Sequence, residues 1–349
     1  MVAAIDRDRF EVSLVGIDHA GAWHLLDEPA FLALTKVPGA RVEGVGTPVT
    51  LSPAPAGGAL VDLAQPARPP ATVDVVFPVL HGTFGEDGTV QGLLDLADLP
   101  YVGAGVLGSA VGMDKDVQKR LLRDAGIPVV PFLTVTRRQW ATTRDALQPS
   151  VAALGLPLFV KPANLGSSVG ITKVKDLAHL PAAVAAALQY DTKVLIEAAI
   201  DAREIECAVL GNEAPSASVP GEIRPRADFY SYEAKYIDAD GAALLVPAPL
   251  SPGERATVQE LAVRAFQVLE CAGMARVDFF LQRPTGTLYV NEINTIPGFT
   301  SISMYPKLWE CSGTPYPALI TRLIDLAIER HAERAGLIRA FTPVHPAAG

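Results

Sequence analysis

Cysteine is scarce: Cys207, Cys271 and Cys311 are the only three in 349 residues. An odd number, widely spaced and without a C-x-x-C pair, excludes a disulfide framework and a zinc site, and predicts three reduced core thiols. Positive charge is not in excess either. Lys and Arg number 29 against 38 Asp and Glu, a net charge of −9, which argues against a phosphate-backbone binder and so against a nucleic-acid partner. A nucleotide is still allowed, because its site needs only a few local cations. No apolar run approaches the roughly 18 residues of a membrane span. The opening residues do not read as a secretory signal, so no membrane partner is expected and the cytoplasm is the default compartment. Repeats and low-complexity tails are absent.

What is present is an ordinary globular balance, 49% hydrophobic and 19% charged, in a chain long enough for two or three domains. From Phe10 to about Gly112, short apolar strands (Glu11–Ile17, Val73–Leu80) alternate with a helix at Val90–Leu99. The Pro-, Ala- and Gly-rich stretch from Pro48 to Pro70 reads as a loop. A second region has a basic helix (Lys115–Asp124), strands at Pro128–Val135 and up to Pro162, and an Ala-rich helix (Leu180–Leu188). A third carries strands at Glu204–Leu210, Arg276–Leu281 and Leu288–Asn294 and helices at Ser251–Cys271 and Tyr316–His331. Ser251, Pro252 and Glu254 form a helix start, with serine as N-cap, proline at the first position and glutamate three residues on. The expected fold class is α/β and α+β. Residues 1–112, 113–200 and 201–349 are the expected domains, with a site between them.

The chemistry concentrates in four places. In the segment Phe159-Val-Lys-Pro-Ala-Asn-Leu-Gly-Ser-Ser-Val-Gly170, a buried strand delivers Lys161 into a Gly/Ser loop. Gly166 and Gly170 let backbone N–H groups approach an anion, and Ser167 and Ser168 add hydroxyls. No Gly-Lys-Ser/Thr follows, so this is not a Walker A loop, and no helix follows at once, so it is not a Rossmann turn. A glycine hairpin over a phosphate chain fits; an ordinary flexible hairpin is the alternative. In the second place, Arg276 and Asp278 share a face of one strand, and Glu292 and Asn294 share a face of the next. With Pro284-Thr285-Gly286 as the turn, Asp278 lies opposite Glu292 and Arg276 opposite Asn294. Adjacent carboxylates repel unless a cation lies between them, and hard oxygen ligands suit magnesium. A solvent-facing polar sheet surface is the alternative, but Val277, Phe279, Val290 and Ile293 would bury only one side. Third, the Pro-Gly turn at Pro297-Gly298, leading to Ser303 and a short helix, makes a carboxylate cradle. Fourth, the aromatic segment Asp228–Tyr236 suits a lid.

Together, His81-Gly-Thr-Phe-Gly-Glu-Asp-Gly88, Met113-Asp-Lys115, the lysine–glycine loop, Tyr232-Glu-Ala-Lys-Tyr236, Gly273-Met-Ala-Arg-Val-Asp278 and Asn291-Glu-Ile-Asn-Thr-Ile-Pro-Gly298 resemble the D-alanine–D-alanine ligases. They occur in that family's order from about residue 2 to 331. The resemblance implies an ATP-grasp fold in three domains, with a lid at about 222–245. It also implies ATP-dependent joining of two D-alanine molecules through D-alanyl phosphate, for peptidoglycan precursors. Carried over by residue, it assigns Lys115, Lys161 and Ser168 to the ATP phosphates. Glu197, Ala198 and Ile200 would meet adenine through the backbone, and Glu204 the ribose. Asp278, Glu292 and Asn294 match ligands of two magnesium (or manganese) ions, and Arg276 matches the arginine at the tetrahedral intermediate. Gly298 lies in the turn before Ser303, which matches the binder of the second D-alanine's carboxylate. His81 resembles a contact to the first D-alanine. Ser167 and Tyr236 resemble the pair that closes the lid, and Lys235 beside Tyr236 favours the dipeptide over D-alanyl-D-lactate. A homodimer is expected on the same ground.

One departure from the family pattern stands out. Family members begin with a strand, a glycine turn and a helix bearing a Glu-His-Glu-Val-Ser run, and this chain opens at the tail of that helix. Glu11-Val-Ser-Leu14 looks like that run, but its setting matches the second strand, so Glu11 is left out of the site. The expectation is a chain missing about 25–30 upstream residues, roughly one strand–turn–helix unit, and poorly stable without them.

Overall fold

Three sheets organise the chain in the computed structural model, which describes residues 1–37, 39–52, 58–67, 71–166, 169–225, 242–300 and 303–338. The first sheet is an antiparallel meander of β1 (Leu14–Ile17), β2 (Trp23–Leu26), β3 (Thr47–Ser52), β4 (Ala59–Asp62) and β5 (Ala71–Thr72). A helix, α1 (Glu28–Thr35), follows β2, capped by Asp27, whose Oδ1 accepts from the Ala30 N–H at 2.7 Å. Two expectations fail here. The stretch Pro48–Pro70 is not a loop throughout, because Val49, Leu51 and Leu60 turn inward and pack on Leu94, Leu99 and Tyr101. Conversely, Val73–Leu80 makes no strand beyond one parallel bridge, Val76 to Tyr101. Helices α2 (Thr89–Leu96) and α3 (Val106–Met113) complete this region.

The second sheet holds β6 (Phe132–Thr136), β7 (Leu158–Pro162), β8 (Thr172–Val174) and β9 (Lys193–Ala198) in the order β6-β9-β7-β8, all pairs antiparallel. Helix α4 (Lys115–Asp124) precedes it, and α5 (Arg137–Ala153) and α6 (Leu180–Ala187) pack on it. Asp114 caps α4 by accepting from the Asp116 and Val117 N–H groups, both at 3.0 Å. Lys193 of β9 then grips Asp114 at 2.6 Å and Asp116 at 3.0 Å. The first turn of α4 is thereby pinned to the sheet.

The third sheet runs β13 (Ala242–Leu245), β12 (Gly221–Pro225), β10 (Ala202–Gly211), β14 (Gly273–Gln282), β15 (Leu288–Asn294), with β11 (Ser216–Ala217) beside β10. One face is sealed by α7 (Pro252–Val268), whose Val258, Leu261, Ala262, Ala265 and Phe266 form the stripe expected of an amphipathic helix and pack on Val277, Phe279 and Val290. The other face is covered only in part. Helices α8 (Met304–Cys311) and α9 (Tyr316–Ala335) bury Ala208, Leu210 and Met274. Side chains alternate faces along a strand, so Glu206 and Arg276 are the next residues on that face, where this cover ends. Cys207 and Cys271 are buried as expected, and burial pushes both thiols up to about 12. Cys311 is exposed instead, because it closes α8 at the surface.

The start of α7 is the capping box read from the sequence. Ser251 Oγ accepts from the Glu254 N–H at 3.3 Å, and Glu254 Oε2 accepts from the Ser251 N–H at 2.8 Å. Ser251→Ala is expected to cost about 1 kcal/mol, read as a lower urea midpoint; an unchanged midpoint would show that tertiary packing alone holds the helix start.

The amino-terminal region is held to the third by two close approaches and a clamp. A Cβ on Gly108 of α3 would lie 2.3 Å from the Glu270 carbonyl oxygen, and one on Gly112 would lie 2.7 Å from Thr295 Cγ2. Only glycine allows the helix so near Glu270 and the residue that follows β15. Arg330 of α9 donates to the carbonyls of Gly103 and Tyr101 and stacks on the Tyr101 ring, while Arg334 holds Asp95 at 2.7 Å.

Candidate active site

The hairpin register is the one the sequence predicts where it matters: Arg276 pairs with Asn294 and Asp278 with Glu292. Nearer the turn it shifts by one, so that Phe279 pairs with Val290. The bulge takes up Asn291 and lets both Val290 and Ile293 face the core while Glu292 and Asn294 stay on the polar face. Arg276 is the hub of that face. Its Nε and Nη2 donate to Asp278 at 2.7 and 2.8 Å, and Nε is 3.1 Å from Glu206 of β10. Asn294 Nδ2 donates to Asp278 Oδ2 at 2.9 Å. Burial alone would weaken the guanidinium's hold on its proton, but Asp278 and Glu206 keep it well above the ordinary value. Among the described residues, no three or more His, Cys, Asp and Glu side chains group as a metal site would require. The expected set is instead two carboxylates and an amide.

The second sheet brings its cations to the same place. Lys115 Nζ lies 3.1 Å from Glu292 Oε2 and donates to the Leu165 carbonyl at 2.8 Å, bridging the glycine loop and β15. Lys161 of β7 and Glu197 of β9 rise from one face of the sheet, and Lys161 Nζ donates to Glu197 Oε1 at 2.6 Å. Glu197 was expected to act through its backbone; its side chain is a buried ionic centre, with Lys119 Nζ 2.7 Å from the other oxygen. The N–H groups of Ala198 and Ala199 are taken by the carbonyls of Pro131 and Pro157, both at 3.0 Å. Ile200 is half-buried just beyond. Glu204 shares its face of β10 with Glu206.

The remaining expected residues divide. Ser303 stands at the N-cap position of α8 without a side-chain bond into the helix, and its Oγ accepts instead from the Thr300 N–H at 3.1 Å. A Cβ on Gly298 would come within 3.1 Å of that Oγ, so the turn closes on the serine only because residue 298 is glycine. His81 is exposed beside Glu86. Ser167, Ser168, Lys235 and Tyr236, with most of the expected lid, lie outside the described residues.

Three residues of this cluster escaped the sequence reading. Lys119 stands four residues after Lys115, and Glu206 two after Glu204, spacings that put each on its neighbour's face. Glu86 lies inside the quoted His81–Gly88 motif and accepts from the Gly82 N–H at 2.6 Å. Burial, with Glu292 nearby, pushes its carboxyl up against the pull of the Gly82 and Ile296 N–H groups and of His81.

Comparison with known proteins bears on this arrangement directly. The family model described as D-ala D-ala ligase N-terminus matches residues 1–104, and that described as D-ala D-ala ligase C-terminus matches residues 121–325. D-alanine--D-alanine ligase A of Chromobacterium violaceum is 54% identical over 331 residues, spanning 95% of this chain and 89% of that protein. The chain belongs to the D-alanine–D-alanine ligase family. The Escherichia coli K12 ligase A is 52% identical over 333 residues, spanning 95% and 90%. Among solved structures, the D-alanine-D-alanine ligase from Coxiella burnetii superposes with a TM-score of 0.81 at 42% identity, spanning 97% of this chain and 91% of that one. VanG D-Ala:D-Ser ligase from Enterococcus faecalis gives 0.80 at 35%, spanning 93% and 92%. The three sheets are thus the family's ATP-grasp fold, and membership implies use of ATP. The expectation of a missing first strand and helix finds no support in these comparisons. Among the described residues, no helix is long and apolar enough to cross a membrane.

Proposed function

We propose that this chain joins two D-alanine molecules to D-alanyl-D-alanine for peptidoglycan synthesis in the cytoplasm, with ATP as the energy source and D-alanyl phosphate as the intermediate. The observation that carries the reading is the meeting of Lys115, Glu292, Asp278, Asn294 and Arg276 where the glycine loop faces β15, in a member of this family. Lys115 and Lys161 hold the phosphates, Ser168 adds a donor, and the Glu197–Ile200 segment and Glu204 receive the nucleoside. Asp278, Glu292 and Asn294 suit two magnesium ions, or manganese: they are hard oxygen donors on one face, each carboxylate already opposite a cation. Such ions, when bound, neutralise charge developing on the transferred phosphoryl group.

The chain's own residues do the rest. Arg276, aimed and kept charged by Asp278 and Glu206, stabilises the oxygen that becomes negative when the second amine attacks the acyl carbon. The Gly298 turn and Ser303 receive the second substrate's carboxylate, and His81 contacts the first substrate. Lys235 and Tyr236 belong to the lid that keeps water from the acyl phosphate, and Ser167 of the glycine loop pairs with Tyr236 to close it. We keep the three-domain division, with boundaries near residues 112 and 200, as part of this reading. A homodimer belongs to it too: Leu93 and Leu96 of α2 and Val106 and Leu107 of α3 expose a shared apolar patch of the kind a second copy would cover.

Phosphate release measured with and without D-alanine tests the reaction. Release that depends on D-alanine, with the dipeptide as product, is the expected result; no release with or without it leaves only a nucleotide-binding protein. The likeness to a D-Ala:D-Ser ligase gives a second reading, another amino-acid ligase of this fold, and offering D-serine beside D-alanine decides between them. Lys161→Met is expected to raise the KM for ATP by roughly tenfold to a hundredfold, the loss of one charge-assisted hydrogen bond. An unchanged KM would remove Lys161 from the phosphate site.

A further inference from the structure

We infer that Lys119 is a positioning residue for the phosphate site, holding the Glu197 carboxylate so that Lys161 can leave it for the phosphates of the nucleotide. The inference rests on the nucleotide reading above and extends it to a residue that touches no substrate.

The geometry is a three-membered ionic chain. One Glu197 oxygen is 2.6 Å from Lys161 Nζ and the other is 2.7 Å from Lys119 Nζ. Exposure is graded along it: the side chains of Lys119, Glu197 and Lys161 are 0%, 2% and 9% exposed. Lys161 is therefore the member that reaches the opening, and Lys119 is sealed beneath. Two ammonium groups on one carboxylate leave a surplus positive charge, and only Lys161 can present it to an anion.

Consider the chain without Lys119. When phosphate draws Lys161 away, Glu197 would be left as a lone carboxylate in the interior, a strongly unfavourable state. Lys161 would stay on Glu197 instead, and the nucleotide would lose its contact. With Lys119 in place, Glu197 keeps a partner whichever way Lys161 turns. With both lysines in contact, burial would push the carboxylate's proton affinity up, but the two lysines hold it below the ordinary range.

Sequence and fold explain how the second lysine arrives. Lys115 and Lys119 are four apart on α4, so they share a face. Asp114 and Asp116, gripped by Lys193, fix that helix on β9, the strand that carries Glu197. One helix thus delivers Lys115 to Glu292 and Lys119 to Glu197.

The test is calorimetric titration of the full chain with magnesium-ATP in the absence of D-alanine, and separately with adenosine, which has no phosphates. Lys119→Met keeps the length of the side chain and removes its charge. It is expected to weaken ATP binding by roughly tenfold to a hundredfold, the loss of one charge-assisted hydrogen bond, while leaving adenosine within about threefold. The double variant Lys119→Met/Glu197→Gln removes the carboxylate that traps Lys161, and should bring ATP affinity back to within about threefold of the unsubstituted protein. The inference is overturned if Lys119→Met binds ATP normally, if ATP and adenosine weaken together, or if the double variant binds no better than the single one. Failure of the unsubstituted protein to bind ATP would overturn the nucleotide reading itself and this inference with it.

Discussion

An Arg276→Ala enzyme is expected to lose about 10²–10³ in turnover, the usual consequence of deleting a preorganised donor aimed at developing charge. The donor is preorganised because Asp278 takes Nε and Nη2 together and Glu206 approaches Nε from the neighbouring strand. A guanidinium fixed by two carboxylates need not reorganise at the moment of reaction. The same carboxylates make the deletion worse, since Asp278 and Glu206 face each other across adjacent strands and Arg276 is a cation they share. Arg276→Lys should recover little, because an ammonium has no planar fork for the bidentate contact. The measurement is steady-state kinetics with both substrates varied. A fall in turnover with the KM for ATP changed by less than about threefold is what a donor acting only in the transition state produces. Near-normal turnover would assign Arg276 to structure alone.

The same hairpin shows what the sequence made legible and what it hid. Period-two alternation and a Pro-Thr-Gly turn suffice to bring Arg276, Asp278, Glu292 and Asn294 to one face, because strand geometry leaves few other arrangements. The bulge at Asn291 was not legible. Val290 is buried with Ile293 as expected, but strict alternation would put it on the face of Glu292, and only the bulge and packing against α7 turn it inward. Burial on α4 was not legible either. Lys115-Asp-Val-Gln-Lys-Arg120 reads only as part of a basic helix, yet Lys119 is completely enclosed. Nothing local announces that, because the enclosing partner, Glu197, is a sheet away in sequence. The Pro48–Pro70 stretch failed for a related reason. Its proline and glycine content outweighs three apolar residues, Val49, Leu51 and Leu60, whose partners on α2 and beyond supply the missing stabilisation.

Partial covering of the third sheet links fold to chemistry. Along β10 and β14, the inward residues of the α8–α9 face are apolar up to Ala208 and Met274 and charged from Glu206 and Arg276 onward. The change in residue type coincides with the place where the helices stop. The second sheet region meets that uncovered stretch through the pair of Lys115 with Glu292, so the charges left by the helices find partners from the neighbouring sheet.

Glu197→Ala is expected to destabilise the protein by about 3–5 kcal/mol, as removal of one member of a buried ion pair does when the others are left charged. Lys119 has no exposed surface, so it cannot turn to water, and its relief is to give up its proton. That relief limits the loss without abolishing it. The folded Glu197 carboxyl sits below its ordinary range because Lys119 and Lys161 outweigh the effect of burial. The unfolded chain therefore binds that proton more readily than the folded one. The stability it contributes is full above the ordinary glutamate range and is lost as pH falls through the lower folded value. In the alanine variant this contribution is absent, so its unfolding free energy should fall less steeply than the wild type's under acidification. Urea unfolding at neutral pH and again in acid measures both effects. A neutral-pH loss under about 1 kcal/mol, the scale of an exposed pair, together with an unchanged acid slope would show that the triad is solvated and contributes nothing to the fold.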